Sequence, residues 1–228
     1  MRKGIIVLVL LLTKMIVAFS GCVGNVRVGG IIDTIQGSGD MVTHTIQVDG
    51  FTGIDIGGAY ELTFQQSPNF SVVLEIQENL IEYLETSVQN GVFRLGSSAN
   101  FRTTGENTPH LIISAPYLDY VSLAGAVNGN MNLQVDSLEI NLAGASNLLL
   151  SGSANALNIH SAGASNISAF EMTATNATIN VAGAGNVDIY ATDTLHVSIA
   201  GIGQVVYDGE PQVTRSVAGL GTIERRSN

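Results

Sequence analysis

Positive charge is almost missing from most of this chain. After Arg102 the next basic side chain is Arg215, only 12 % of the 228 residues are charged, and the formal net charge is −10. Nucleic acid and bare anionic surfaces are thereby excluded as partners, because phosphate binding depends on Lys and Arg. Cysteine is nearly absent too. The single Cys22 allows no disulfide framework, so stability has to come from packing. No apolar period of 3.6 runs through residues 110–224, which excludes a helical domain there. What remains is 45 % hydrophobic residues and a mean hydropathy of +0.30. That suffices to bury a core and is too much for a disordered chain.

What the second half does contain is a repeat. It reads Leu123-Ala124-Gly125, Leu142-Ala143-Gly144, Ser161-Ala162-Gly163, Val181-Ala182-Gly183, Ile199-Ala200-Gly201 and Val217-Ala218-Gly219, with glycines 19, 19, 20, 18 and 18 residues apart. Three residues after each glycine stands a small polar side chain: Asn128, Asn147, Asn166, Asn186, Gln204 and Thr222. Upstream, alternate positions are apolar, as in Leu138, Ile140 and Leu142 or Leu195, Val197 and Ile199. This period of two predicts strands with one face buried, bent at each Ala-Gly.

A unit of 18–20 residues cannot bury its apolar face alone, so successive units must stack. The expected fold is all-β: a single-domain, parallel β-helix-like β-solenoid with 18–20 residues per coil and a less regular, strand-rich N-terminal part. Stacking would set equivalent residues over one another. The asparagines would form an amide ladder along the axis, and the glycines would supply positive φ or room for close backbone approach. The alternative for the Asn row is a ligand-binding stripe, which requires the amides to face solvent.

Met1-Arg2-Lys3, the apolar run Ile5 to Leu12 and Ala18-Phe19-Ser20-Gly21-Cys22 form a secretion signal. Cys22 sits where a lipoprotein signal places its acylated residue. The expected organisation is a signal peptide over 1–21, a lipid-anchored, Gly-rich tether over 22–40, and a body over 41–228 with irregular strands at 41–116 and regular repeats at 117–224. An unlipidated signal and an uncleaved anchor are the other readings of this terminus. Part of the tether, notably Ile31 and Ile32, could instead pair at the edge of the body. Glu78 to Glu85 reads as a short helical turn or as loop and strand, and Asn100 to Thr108 as a long polar excursion. At the other end, Arg225 and Arg226 close the stack against further strand addition.

Chemistry is harder to place. A lyase needs a base and a cationic group or metal, yet residues 103–214 hold no Lys or Arg. Glycoside hydrolysis needs two facing carboxylates, whereas Asp136, Glu139, Asp188 and Asp193 fall at different offsets from their glycines and read as dispersed solubilising charges. His160 and His196 fall on opposite strand faces, which opposes a shared metal site. His160 reads as a surface residue. The Asn-x-Ser/Thr triplets at Asn69, Asn166 and Asn176 carry no weight in a bacterial lipoprotein. The expectation is no enzyme, no metal and no cofactor.

The order Gly37-Ser38-Gly39, then Val48-Asp49-Gly50-Phe51-Thr52-Gly53-Ile54, Glu78-Asn79-Leu80, Ala115-Pro116-Tyr117-Leu118 and the Ala-Gly repeats resembles the head GIN domain family of auto-transporter adhesins, over residues 36–224. The resemblance implies a secreted or lipid-anchored bacterial surface protein. With the sequence ending at Asn228, lipid on Cys22 rather than a C-terminal barrel is the expected attachment. Together these readings give a non-catalytic envelope lipoprotein at the outer membrane or cell surface, an adhesin or surface binding module for glycans or surface proteins. The alternative is an envelope scaffold in which edge pairing builds homo-oligomers. A polysaccharide-active enzyme is the third reading.

Overall fold

Alternation of apolar and polar residues becomes strand almost wherever it occurs. The computed structural model describes residues 34–103 and 107–227. The signal expected over 1–21, Cys22, and the tether as far as Asp33, with Ile31 and Ile32, lie outside the described residues. In chain order the strands are β1 (Ile35–Gln36), β2 (Met41–Ile46), β3 (Gly53–Gln66), β4 (Ser71–Gln77), β5 (Leu84–Gln89), β6 (Val92–Ser97), β7 (Phe101–Arg102), β8 (His110–Ala115), β9 (Tyr120–Asp208) and β10 (Gln212–Arg225). A short 3-10 helix, Glu78–Tyr83, separates β4 from β5, where the sequence left a helical turn or loop and strand open; Leu84 and Glu85 already belong to β5. The result is an all-β, sheet-rich unit in which β10, β9, β3, β8, β4 and β2 lie side by side in that order.

The long strands pair parallel and in register. Gly53–Gln65 of β3 runs beside Tyr120–Asn132 of β9, and β10 runs beside Thr194–Tyr207 at the other end. Between these ends β9 folds back against itself. A Cβ placed on Gly144 would stand 2.3 Å from the carbonyl oxygen of Gly125, and one on Gly163 would stand 2.2 Å from that of Gly144. The same relation holds for Gly183 on Gly163, Gly201 on Gly183 and Gly219 on Gly201, and Gly125 stands in the same way on Gly58. Every glycine in this column has φ between +122° and +147°, a conformation that L side chains rarely adopt. Positive φ and close backbone approach are therefore both required at the same place.

The column starts one copy earlier than the repeat suggested. Ile56-Gly57-Gly58-Ala59-Tyr60-Glu61 of β3 is the first copy, paired residue by residue with Leu123 to Asn128. Residues 67–119 interrupt the sequence between the two, which hides the period. In that stretch β4 runs antiparallel to β8 and to β2, β5 runs antiparallel to β6, and β6 and β8 return parallel to the far edge of β3. Phe51 packs here between Phe70 and Phe93, at 5.0 and 5.7 Å between ring centroids.

The ordered strands also begin earlier than position 41. Ile35–Gln36 pairs parallel with Phe101–Arg102, the Gly37 amide donates to the Arg102 carbonyl, and the Ser38 amide donates to Asn79 Oδ1. Residues 35–38 of the expected tether are thus hydrogen-bonded to the body. Within the expected polar excursion Phe101 and Arg102 likewise form a strand, because this stretch offers backbone groups that β1 can satisfy; residues 104–106 of it lie outside the described residues.

Inside, one face of the alternation is dry: Leu138, Ile140, Leu157, Ile159, Ala177, Ile179, Leu195 and Val197 are all buried. The position two residues past each column glycine runs Tyr60, Val127, Ser146, Ser165, Gly185, Gly203 and Gly221, so this interior corner narrows from a phenol to a hydrogen atom. Ser165 bonds Ser161, which replaces an aliphatic residue. Among the described residues the Tyr60 hydroxyl and Ser146 Oγ are buried without a hydrogen-bond partner. Burial pushes the Tyr60 phenol up to about 12.

At the C-terminal end β10 pairs, among the described residues, on one edge only. Arg215 and Arg225 take positions filled in the copy below by Val197 and Tyr207. Arg215 donates to the Tyr207 hydroxyl at 3.1 Å, Arg225 pairs with Glu210 at 2.5 Å, and Arg226 lies 3.8 Å from Asp208. Guanidinium groups at core positions make this edge a poor template for another strand.

Gly144→Ala should destabilise the fold by at least about 2 kcal/mol, through backbone strain and the clash with Gly125, whereas Gly96→Ala, with nothing within 4 Å of the added carbon, should cost far less. Denaturant melts of the two variants compare them directly. Tyr60 gives a pH signature. Its folded pKa lies above the unfolded value of about 10, so stability is full below pH 10 and falls as pH rises from about 10 to 12. Tyr60→Phe should lose that alkaline slope and, by removing an unpaired buried hydroxyl, gain about 1 kcal/mol at pH 7.

Candidate functional site

In each copy the residues two and four past the glycine point inward, as Ser146 and Leu148 or Ser165 and Ile167 do. The residue between them must therefore face out. Asn128, Asn147, Asn166 and Asn186 are all exposed, and they are hydrogen-bonded to one another. Asn186 Nδ2 donates to Asn166 Oδ1 at 3.1 Å, Asn166 to Asn147 at 3.0 Å, and Asn147 to Asn128 at 2.8 Å. Asn128 donates in turn to Glu61 Oε1 at 2.8 Å. All donors point the same way and the row ends on a carboxylate, which polarises the chain of amides cooperatively. Gln204 donates to Glu224 instead, so the polar row read from the sequence as far as Thr222 divides after Asn186.

Hydrogen bonding within the row and exposure to solvent, which the sequence posed as alternatives, occur together. The row lines an open groove of about 700 Å³, together with Glu61, His110, Leu149 and Asp188. Among the described residues no Lys or Arg lines it. Burial raises the Asp188 pKa above the ordinary carboxylate value, and the Arg226 charge partly offsets this. The Arg226 guanidinium itself rests 4.6 Å from the centre of the Phe170 ring, a cation–π contact at the C-terminal side of the groove.

A second row was not visible in the sequence. Asn155 Nδ2 donates to Asp136 Oδ1 at 3.0 Å, and Thr194 Oγ1 donates to Asn176 Oδ1 at 2.6 Å. A smaller hollow of about 300 Å³ lies beside it, between Tyr117, Gln134 and Ser153. This row stands at varying distances from the glycines, which conceals it from a motif search. Asp136 and Asp188 are thus not merely scattered surface charges: one begins a hydrogen-bonded row and the other lines the groove. Glu139 accepts from Asn141 at 2.8 Å, and the exposed His160 bonds Asn180 at 3.3 Å; His196 is exposed as well, so the two histidines, expected on opposite strand faces, both face outward, two repeats apart.

The groove offers many weak hydrogen bonds and little reactivity. Glu61 and Asp188 are separated by four steps of the stack, about 19 Å at the usual strand spacing, well beyond the separation at which two carboxylates cooperate across a glycosidic bond. Among the described residues no three His, Cys, Asp or Glu side chains are placed to share a metal ion. No helix of the described residues is long and apolar enough to cross a membrane.

Fold and groove together define an all-β repeat protein with an extended polar face. The chain belongs to the head GIN domain family, whose model, described as "Putative auto-transporter adhesin, head GIN domain", matches residues 50–211. The fold is shared with a "putative adhesin" of Bacteroides fragilis at a TM-score of 0.68 and 22% identity, over 84% of this chain and 100% of that one. A "putative lipid binding protein" of Parabacteroides distasonis is similar at a TM-score of 0.54 and 22% identity, over 86% of this chain and 100% of that one. No curated protein matches the chain in sequence.

The Asp188 shift gives a test of the groove's electrostatics. A carboxyl with a raised folded pKa binds its proton more tightly when folded, so its stabilising contribution is present at acid pH and lost as pH rises through the carboxylate range. Asp188→Asn should melt with the wild type near pH 3, below the ordinary Asp value of about 3.9, and above it at neutral pH, as read by calorimetry.

Proposed function

We propose that this chain is a non-catalytic adhesin or surface binding module of the bacterial envelope, exported by its N-terminal signal and held by lipid on Cys22. Its body is a β-solenoid of 18–20-residue coils that presents polar side chains to glycans or surface proteins. Supporting the solenoid are the parallel registers at offsets of one repeat and the column of glycines, each seated on the one before. The observation that carries the function is the outward row of amides along an open groove, in a chain whose family is one of adhesins. Single contacts of this kind are weak, and many copies on one membrane would sum them.

An envelope scaffold is the second reading. Leu220 of β10 and its register partner Ile202 on β9 are 79 % and 62 % exposed, where earlier copies have alanine. Against it stand Arg215 and Arg225 at core positions of β10, which oppose continuation of the stack.

Impermeant protease on intact cells tests location and attachment together. The adhesin reading expects cleavage of the body without lysis, and release of a Cys22→Ala variant from the membrane fraction. Protection until lysis would remove the surface role, and a Cys22→Ala variant that stays membrane-bound would remove the lipid.

A further inference from the structure

An amide has two N–H donors and two lone pairs. Along the groove Asn147 uses one donor on Asn128 and one lone pair on Asn166, and Asn166 is placed in the same way between Asn147 and Asn186. Both side chains are exposed. Each repeat therefore holds out one donor and one acceptor, fixed in direction by the bonds already made. A sugar hydroxyl has the matching capacity, since it donates once and accepts.

Spacing narrows the ligand further. The free donor–acceptor pairs recur at the strand separation, about 4.8 Å, close to the advance of one pyranose unit along an extended polysaccharide. In the middle of the groove Leu149 is 44 % exposed, whereas the equivalent positions in neighbouring repeats are Asn130, Ser168 and Asp188. An apolar side chain at that one place gives the CH face of a sugar ring something to cover. Charge selects against acidic sugars: Glu61 and Asp188 stand toward opposite ends, no Lys or Arg among the described residues lines the groove, and Arg226 at its C-terminal side is already engaged by Asp208 and the Phe170 ring. A uronate or sulfate laid there would be desolvated beside like charge without a partner.

We infer that this groove binds a linear, uncharged polysaccharide lying along the stack, with about one pyranose per repeat. The outward halves of Asn128, Asn147, Asn166 and Asn186 hold its hydroxyls, and one ring packs on Leu149. The inference rests on the surface-binding reading for its biological setting and on the groove alone for its chemistry.

The test titrates the full-length protein in detergent micelles with β-1,4-linked glucose oligomers of increasing length, and with galacturonate oligomers of the same lengths. Affinity for the neutral series should rise with length until the four amides are spanned and then level off, while galacturonates bind at least about tenfold more weakly. Asn147→Ala and Asn166→Ala should each lower affinity about tenfold by withdrawing a donor and an acceptor. Asn155→Ala, on the second row, should leave it unchanged, and Leu149→Trp should raise it. Binding that ignores length, equal binding of galacturonates, or affinity unmoved by both groove variants would overturn the inference. So would an equal loss in Asn155→Ala, which would mark a general structural effect. If no oligomer binds while cells bearing the protein still adhere and cells lacking it do not, the groove inference fails and the adhesin reading stands. If adhesion is also independent of the protein, both fail.

Discussion

Parallel backbone pairing in strict register between segments one repeat apart is the constraint on which everything else rests. Hydrogen bonding between strands sets the spacing, and the glycine column allows the chain to turn without losing it. At each corner the place where a Cβ would sit is occupied by the carbonyl of the preceding copy. Any other residue there would have to push two copies apart. The core, the amide row and the groove all inherit their alignment from this contact, because a shift of one residue would turn every inward side chain outward.

The same register has a cost in the interior. Stacked positions need not be filled by the same side chain, and the sequence changes steadily at the inner corner, from Tyr60 through Val127 and two serines to glycine. Tyr60 and Ser146 are left with unpaired polar atoms. Each opposes folding to some degree, and neither lies in the groove. The surface shows the reverse: polar groups there are tied to one another across repeats, so the exposed face is ordered by the same stacking that orders the core.

Much of this was legible in the residues. Ala-Gly at a steady interval and asparagine three residues later locate the corners, and alternation marks Leu138, Ile159 or Val197 as inward. The first copy was not legible, because Gly58 and Glu61 are separated from Gly125 by the antiparallel strands of residues 67–119. Glu61 therefore read as one strand residue among others rather than as the end of the amide row. Asp136, Asn155 and Asn176 were hidden for a different reason: their spacing drifts by one or two residues between copies, and only three-dimensional neighbours reveal it. The pairing of Ile35–Gln36 with Phe101–Arg102 joins two short segments with no pattern strong enough to announce a strand.

The two corners also differ in tolerance. At the amide row, bonded partners lie 19, 19 and 20 residues apart, whereas at the second row the successive offsets are 19, 21 and 18. Over the corresponding coils, Gly144 to Gly201, the glycines are 19, 20 and 18 residues apart, so the one extra residue between Asn155 and Asn176 is absorbed at the second corner while Gly183 still seats on Gly163. A length change of one residue at that corner is thus compatible with unbroken seating of the glycines, so the molecule has one edge that can be re-lengthened and one that cannot.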